Sequence, residues 1–454
     1  MPTLSTENSS LSGETRRSLL LYNAFFPFVL LFLLPGFLLR MIRRGKYRHK
    51  FGQRFGIYSS RVRDRIAARE WVWIHAVSVG EVFIAQKIAR QLKSTRRNLN
   101  VVLSTTTSTG LALARSSAPD WMEVIYNPLD FPLFTKRALN LIGPTQIILV
   151  EAEVWPNLVS EAKQRGIPLA LVNARLSPRS ERRFHQFRFL TGPIFRLLDS
   201  VCVQEPEDVA RWNSLGVDDT KIHLTGSIKF DPDAPVESRE EEFRALLAPL
   251  GVQAETPVLL AGSTHPGEET LLGQIFLELR KTVPGLFLII APRHVERTRA
   301  ILDSLRSLGL SPLLRTALSD PIPPGIDCLL IDTTGELRHW YHLGTVLFVG
   351  KSLAAVGGQN PVEAVAAAKP VLFGPHMENF SAVVRVLLRR QAAIQVQDAE
   401  GLRREVARLL GDVDLRAWMA INAHAVLDRH AGATARTVAL LNAALSESGK
   451  RPGP

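Results

Sequence analysis

From Trp71 onward, short apolar runs alternate with longer amphipathic ones. "WVWIHAVSVGEVFIAQKIARQL" (71–92) predicts a strand, a tight turn and a helix. "VVLST" (101–105), "QIILVEAE" (146–153), "PLALVNA" (168–174), "SVCVQ" (200–204) and "IHLTG" (222–226) predict further strands, and 81–93, 156–165 and 205–215 predict helices between them. After "KFDPDAPVESREEEF" (229–243), rich in Pro, Asp and Glu and read as an interdomain linker, the alternation restarts. Its strands are "PVLLAGS" (257–263), "LFLIIAP" (286–292), "DCLLIDTTGE" (327–336), "TVLFVG" (345–350) and "KPVLFGP" (369–375). Strands alternating with helices imply parallel sheets covered on both faces. The expected fold class is therefore α/β, with two doubly wound, Rossmann-like domains.

The N-terminus follows another pattern. Residues 1–18 are polar and read as a disordered leader. "LLLYNAFFPFVLLFLLPGFLL" (19–39) carries no charge, and about 20 apolar residues suffice to span a bilayer as a helix. Pro27, and Pro35 with Gly36, favour a kink. A basic block of Arg40, Arg43, Arg44, Lys46, Arg48, Lys50 and Arg54 follows, where a signal peptide would have a small-residue cleavage site. The reading is a membrane anchor over 19–42, with everything after Arg40 on the cytoplasmic face of the inner membrane. The expected domains are then 43–235 and 236–454, the latter including the C-terminal helices.

The composition agrees with this picture. The chain has 454 residues, 46% hydrophobic, which is ample for two packed cores and excludes a disordered protein. Its 55 Lys+Arg against 43 Asp+Glu give a net charge of +12, which favours an anionic partner. Because the densest basic block adjoins the apolar segment, an anionic membrane surface fits better than nucleic acid. No interleaving of aromatic and basic residues points to nucleic acid. Cys202 and Cys328 sit in apolar runs and read as inert core thiols, with no metal-ligand spacing around them.

Ligands of open α/β sheets bind beyond the carboxyl ends of the strands. In the first half those positions hold "HAVSVGE" with Glu81, "VEAEVWPNL" with Glu151 and Glu153 two apart on expected extended chain, and "VNARLS" with Asn173, Arg175 and Ser177. Glu81 also suits a helix's first turn, where a carboxylate complements the dipole. In the second half they hold "GSTHPGEE" with Ser263, Thr264 and His265, "APRHVER" with Arg293, His294 and Arg297, and "DTTGELRHWY" with Gly335 and Glu336. The last is "FVGKSLAAVGGQNPVEA", with Asn360 and Glu363 after paired glycines. Glycines at helix starts suit phosphate, arginines suit anionic groups, and a first-turn acid suits sugar hydroxyls. Four such motifs on the strand ends of one sheet indicate a nucleotide-sugar site.

In combination, "WIHAVSVGE", "EAEVWPNL", "NARLS", "GSTHPGEE", "APRHVER", "DTTGEL" and "FVGKSL…GGQNPVEA" resemble the Kdo (3-deoxy-D-manno-octulosonic acid) transferases of lipid A assembly. These are GT-B glycosyltransferases, with a cleft between two Rossmann-like domains, and they use CMP-Kdo as donor. The resemblance implies inverting transfer of Kdo to a lipid A precursor in lipopolysaccharide biosynthesis. It implies that Glu81 is the general base and that Glu151 and Glu153 organise the acceptor side. It places Ser263, Thr264, His265, Arg293, His294, Gly335, Glu336, Asn360 and Glu363 around CMP-Kdo, with no metal or other cofactor. Lys351 stands where many relatives have Gly, and Val365 where Pro is common. Two alternatives remain open at this stage: a GT-B transferase with a UDP-sugar donor and a lipid acceptor, and a catalytically silent nucleotide-sugar-binding homologue.

Overall fold

A computed structural model describes the backbone of residues 11–44, 51–176, 178–231, 239–319 and 321–448, and the side chains of these except 33–44, 178, 319 and 446–448. Residues 232–238 of the linker, Ser177 and the basic residues Lys46, Arg48 and Lys50 lie outside the described residues. The chain divides into two compact units, one of residues up to Ile228 together with those from Gly432 onward, the other Lys229–Ala431.

The first unit holds strands β1 (Val72–His75), β2 (Val101–Thr105), β3 (Met122–Tyr126), β4 (Gln146–Val150), β5 (Leu169–Ala174), β6 (Ser200–Val203) and β7 (Ile222–Leu224). They form one sheet in the order β3-β2-β1-β4-β5-β6-β7, with every pairing parallel. Successive side chains on a strand face opposite ways. Accordingly Trp71 and Trp73 enter one core with Ile147 and Leu149. Val72 and Ile74 enter the other with Ile148 and Val150. Burial on both faces explains why these strands read as continuous apolar runs.

The second unit holds β8 (Val258–Thr264), β9 (Phe287–Pro292), β10 (Pro312–Leu314), β11 (Cys328–Leu330), β12 (Val346–Val349), β13 (Val371–Phe373) and β14 (Ile394–Gln395). Their order is β10-β11-β9-β8-β12-β13-β14, again parallel throughout. Leu260 and Ile289 face one core, and Leu259 and Ile290 the other. The expected α/β class with two doubly wound sheets is what the chain forms.

Several boundaries differ from expectation. The polar leader is helical from Gly13, because one helix runs Gly13–Arg44. Its first turns are docked: Ser18 Oγ donates to Leu190 O at 2.7 Å, and Asn157 Nδ2 to Asn23 Oδ1 at 2.8 Å. Among the described residues no helix is long and apolar enough to cross a membrane, and residues 33–42 of the expected anchor lie outside the described side chains. The last helix, Ala433–Ser448, belongs to the first unit rather than to a domain running 236–454. Ala433, Val438 and Leu441 join the core beside Val72 and Ile88, Gln146 Nε2 donates to Leu441 O, and Arg436 donates to Thr225 O. Strands β3, β10 and β14 have no counterpart in the sequence reading.

Candidate active site

In the first sheet the chain reverses its direction of winding between β1 and β4, which lie side by side with His75 opposite Leu149. Such a switch point leaves a crevice at the carboxyl ends of the strands. The three acids picked out from the sequence follow these two strands. Glu81 is the third residue of helix Val79–Thr95 and completes a capping box with Ser78. Its backbone N–H donates to Ser78 Oγ at 3.3 Å, and its carboxylate accepts from Val77 N at 2.8 Å and Ser78 N at 3.2 Å. The pattern Ser-x-x-Glu specifies this closure locally. Glu81 is therefore a helix cap in fact. A carboxylate offers about four lone-pair sites, however, and two amides leave the others open.

β4 ends at Val150, so Glu151 and Glu153 do not extend it as expected. Glu151 takes a left-handed conformation, φ 62°, with its N–H bonded to Val172 O, and the chain turns there. Left-handed backbone is uncommon for a residue with a side chain and collects at functional turns. Of the six such non-glycine residues among those described, Glu151, Asn173, Ser263 and Lys351 all fall in strand-end motifs singled out above.

Pro156 then opens helix Pro156–Gln164. The buried Asp130 carboxylate caps it, accepting from Asn157 N and Leu158 N, both at 2.9 Å. Asp130 had no sequence signal, since it lies 27 residues from the amide it caps. Burial pushes its carboxyl up to about 6. Beneath the Glu81 turn, fully buried His75 pins β1 to β2 through Nδ1 and Ser104 Oγ at 2.9 Å. Burial lowers its pKa to about 4, so the ring is neutral at neutral pH. Asn173 is also structural: it is fully buried, and its Oδ1 accepts from Ile228 N at 2.9 Å.

The acids sense one another. Burial raises the Glu81 carboxyl, the Ser78 side chain opposes the rise, and the charge of Glu151 adds to it. Burial raises Glu153 to about 7, with further contributions from Glu81 and then Glu151. Glu153 thus keeps its proton in the folded chain between the ordinary carboxyl range and about pH 7, where the unfolded chain has already released it. Stability from this group is present at low pH and is lost as pH rises through that window. Glu153→Gln is expected to flatten this dependence and to raise the melting temperature at pH 8 more than at pH 5, measured by thermal denaturation at both.

In the second unit the reversal falls between β8 and β12, and the four motifs occupy the carboxyl ends of the contiguous strands β11-β9-β8-β12. Ser263 has φ 56°, and His265 Nδ1 lies 3.2 Å from its carbonyl. The His265 and His294 rings meet edge to face at 5.8 Å. Arg293 is exposed, with its main-chain N–H on Thr264 O. Gly335 is left-handed, φ 85°, and Glu336 starts helix Leu337–Tyr341, accepting from Thr333 Oγ1 at 2.6 Å. Asn360 and Glu363 are exposed at the start of helix Val362–Ala366. Thr264 differs: it is fully buried, and its hydroxyl donates to Glu269, which also holds Arg297 through two bonds of 3.0 and 3.1 Å. Thr264 and Arg297 therefore brace the sheet end.

The family described as "3-Deoxy-D-manno-octulosonic-acid transferase (kdotransferase)" matches residues 49–232, which include all three acids. A 3-deoxy-D-manno-octulosonic acid transferase of Haemophilus influenzae is 31% identical over 403 residues, covering 88% of this chain and 92% of that protein. The chain belongs to the 3-deoxy-D-manno-octulosonic acid transferase family. The Bordetella pertussis enzyme of the same name is 36% identical over 85% of this chain and 89% of its own. Among solved structures, the C-terminal CMP-Kdo binding domain of WaaA from Acinetobacter baumannii is 27% identical, covering 41% of this chain and 97% of that one, with a TM-score of 0.39. The transferase is thus a glycosyltransferase. Its three acids follow strands of the first unit, and the four glycine-, arginine- and acid-bearing motifs follow strands of the second.

Proposed function

We propose that the transferase moves Kdo from CMP-Kdo to a lipid A precursor, with Glu81 as general base. The observation that carries this reading is the carboxylate fixed at the β1/β4 switch point by Val77 N and Ser78 N. An acceptor hydroxyl attacks the anomeric carbon of Kdo, the bond from that carbon to the CMP phosphate breaks with its electron pair, and the hydroxyl proton passes to Glu81. Attack from the face opposite the leaving group inverts the centre. A positioned base of this kind contributes about 10²–10⁴-fold to the rate. Glu151 and Glu153 border the acceptor. Ser263, His265, Arg293, His294, Gly335, Glu336, Asn360 and Glu363 surround the donor, with Arg293 facing its negative charge. In this reading arginine and helix N-termini, rather than a metal ion, meet the charge of the leaving group.

A membrane-borne acceptor calls for a surface that meets lipid. Leu20, Phe25, Phe28, Val29, Leu31 and Phe32 of the first helix are exposed, as are Phe187 and Phe189 beside it. Arg179, Arg182, Arg183 and Arg188 are exposed in the same neighbourhood. Apolar residues flanked by arginines suit an anionic bilayer surface on the cytoplasmic face of the inner membrane. A Phe28→Asp, Phe189→Asp double variant is expected to lose most of its sedimentation with vesicles of anionic phospholipid and to keep wild-type binding of CMP.

The reading is tested by transfer from CMP-Kdo to a tetraacylated lipid A precursor, with thermal protection by CMP and by UDP measured alongside, since a ligand of the native state raises its stability. Turnover with protection by CMP supports it. Protection by UDP alone, or CMP protection without turnover, rejects it.

A further inference from the structure

Glu268 stands one residue before Glu269, in what reads locally as an ordinary acidic helix start. It is fully buried, and its carboxylate reaches across the β8/β12 switch point. Oε2 accepts from Lys351 N at 2.7 Å and from His265 N at 2.9 Å. Oε1 accepts from Ser352 N at 2.9 Å, Leu353 N at 3.1 Å and Ala354 N at 3.5 Å. Four consecutive main-chain amides thus converge on one side-chain anion, beginning at Lys351 in the left-handed region, φ 57°. A concavity of this kind is an anion-binding nest, the device by which many loops hold phosphate. In this protein the nest is filled from within. Removing a carboxylate from water is costly, and here five amides offset that cost, so the loop and Glu268 must order together.

We infer that Glu268 is a positioning residue for the donor: it fills the 351–354 nest, fixes the loop that follows β12, and so leaves the donor's phosphate to be met by side chains outside the nest. This rests on the reading of the second unit as the CMP-Kdo site. The loop is braced from its other side as well. Ser352, also fully buried, donates through Oγ to Val349 O at 2.5 Å and accepts from Gly374 N at 2.9 Å. Gly358 N bonds to Lys351 O at 3.1 Å, and Gly357 N to Glu378 Oε2 at 2.8 Å. The run from Lys351 to Gly358 is therefore held at both ends, and Glu268 grips the end nearest β8.

The test compares wild type with Glu268→Gln and Glu268→Asp. Gln turns one acceptor oxygen into a donor facing the amides, and Asp keeps the charge but shortens the reach. Hydrogen exchange of the 351–354 amides reads the loop without any ligand, and steady-state kinetics separate the KM for CMP-Kdo from that for the lipid acceptor. We expect exchange of these amides to quicken at least about tenfold and the donor KM to rise about tenfold, with the acceptor KM unchanged. Should Glu268→Gln fail to fold, Glu268→Asp carries the same two measurements. Unchanged exchange overturns the inference, and so does a loosened loop with an unchanged donor KM. A wild type that neither binds CMP nor turns over CMP-Kdo would instead sink the reading of the donor site, while the exchange data would still decide whether Glu268 holds the loop.

Discussion

Glu81→Gln is expected to lower kcat for Kdo transfer by about 10²–10⁴-fold while moving the melting temperature only slightly. The two effects separate because the base proposed here also closes the start of its helix. As the third residue of its helix it closes a capping box, and Gln serves that position nearly as well as Glu. As a base it must take a proton, which an amide cannot do. Loss of the Glu81 charge also removes one of the influences that raise Glu153. The kinetic pH profile of the residual activity should therefore shift to lower pH. A variant with kcat within about threefold of wild type would confine Glu81 to the helix cap and pass the proton to Glu151 or Glu153. Large losses of both kcat and stability would mean that the cap alone explains the residue.

Gly374→Ala is expected to weaken donor binding by about 10–100-fold, equivalent to the roughly 1–3 kcal/mol that overpacking costs. Gly374 follows β13, and an added Cβ would run into Ser352 O and lie 2.5 Å from Ser352 C and 2.8 Å from Leu353 N. All of these are main-chain atoms, so no side chain can swing aside to make room. The strain falls on the segment that Glu268 grips. The loop then either leaves its place or forces β13 to shift. Calorimetric titration with CMP reads the loss directly. Full-strength CMP binding by a folded Gly374→Ala protein would show that the segment has slack, and would remove the steric part of this argument.

The sheets were legible from the sequence because parallel strands buried on both faces are short, apolar and bounded by turns. "VVLST" coincides with β2, residue for residue. β3 was harder to see: "MEVIY" places Glu123 in a strand at the sheet's edge, where the residue stays partly exposed and pairs with Arg65 at 3.3 Å. β10 and β14 have only three and two residues, and pairing rather than pattern defines them. Among the candidate site residues, those whose role is local were readable. Glu81 is fixed by Ser78, three residues away, and Pro156 by its place at a helix start. Residues whose partners lie far along the chain were invisible or misread. Glu268 looks like a dipole charge until Lys351, 83 residues later, is placed beside it. Thr264 looks like a ligand until Glu269 and Arg297 account for it. "VEAEV" reads as extended chain through Glu151 and Glu153, because nothing in it announces a left-handed residue.

The return of Ala433–Ser448 to the first unit sets an order on synthesis. As the chain leaves the ribosome, the whole of Lys229–Ala431 is available before the first unit has the helix that carries Ala433, Val438 and Leu441 into its core. The later-made unit can therefore finish first, while the earlier-made one waits with part of an apolar face, around Val72 and Ile88, uncovered. A chain truncated just past Ala431 and released from the ribosome should be cut by protease preferentially before Ile228 and not within 239–431. Equal resistance of both stretches would mean that the first unit closes without its last helix.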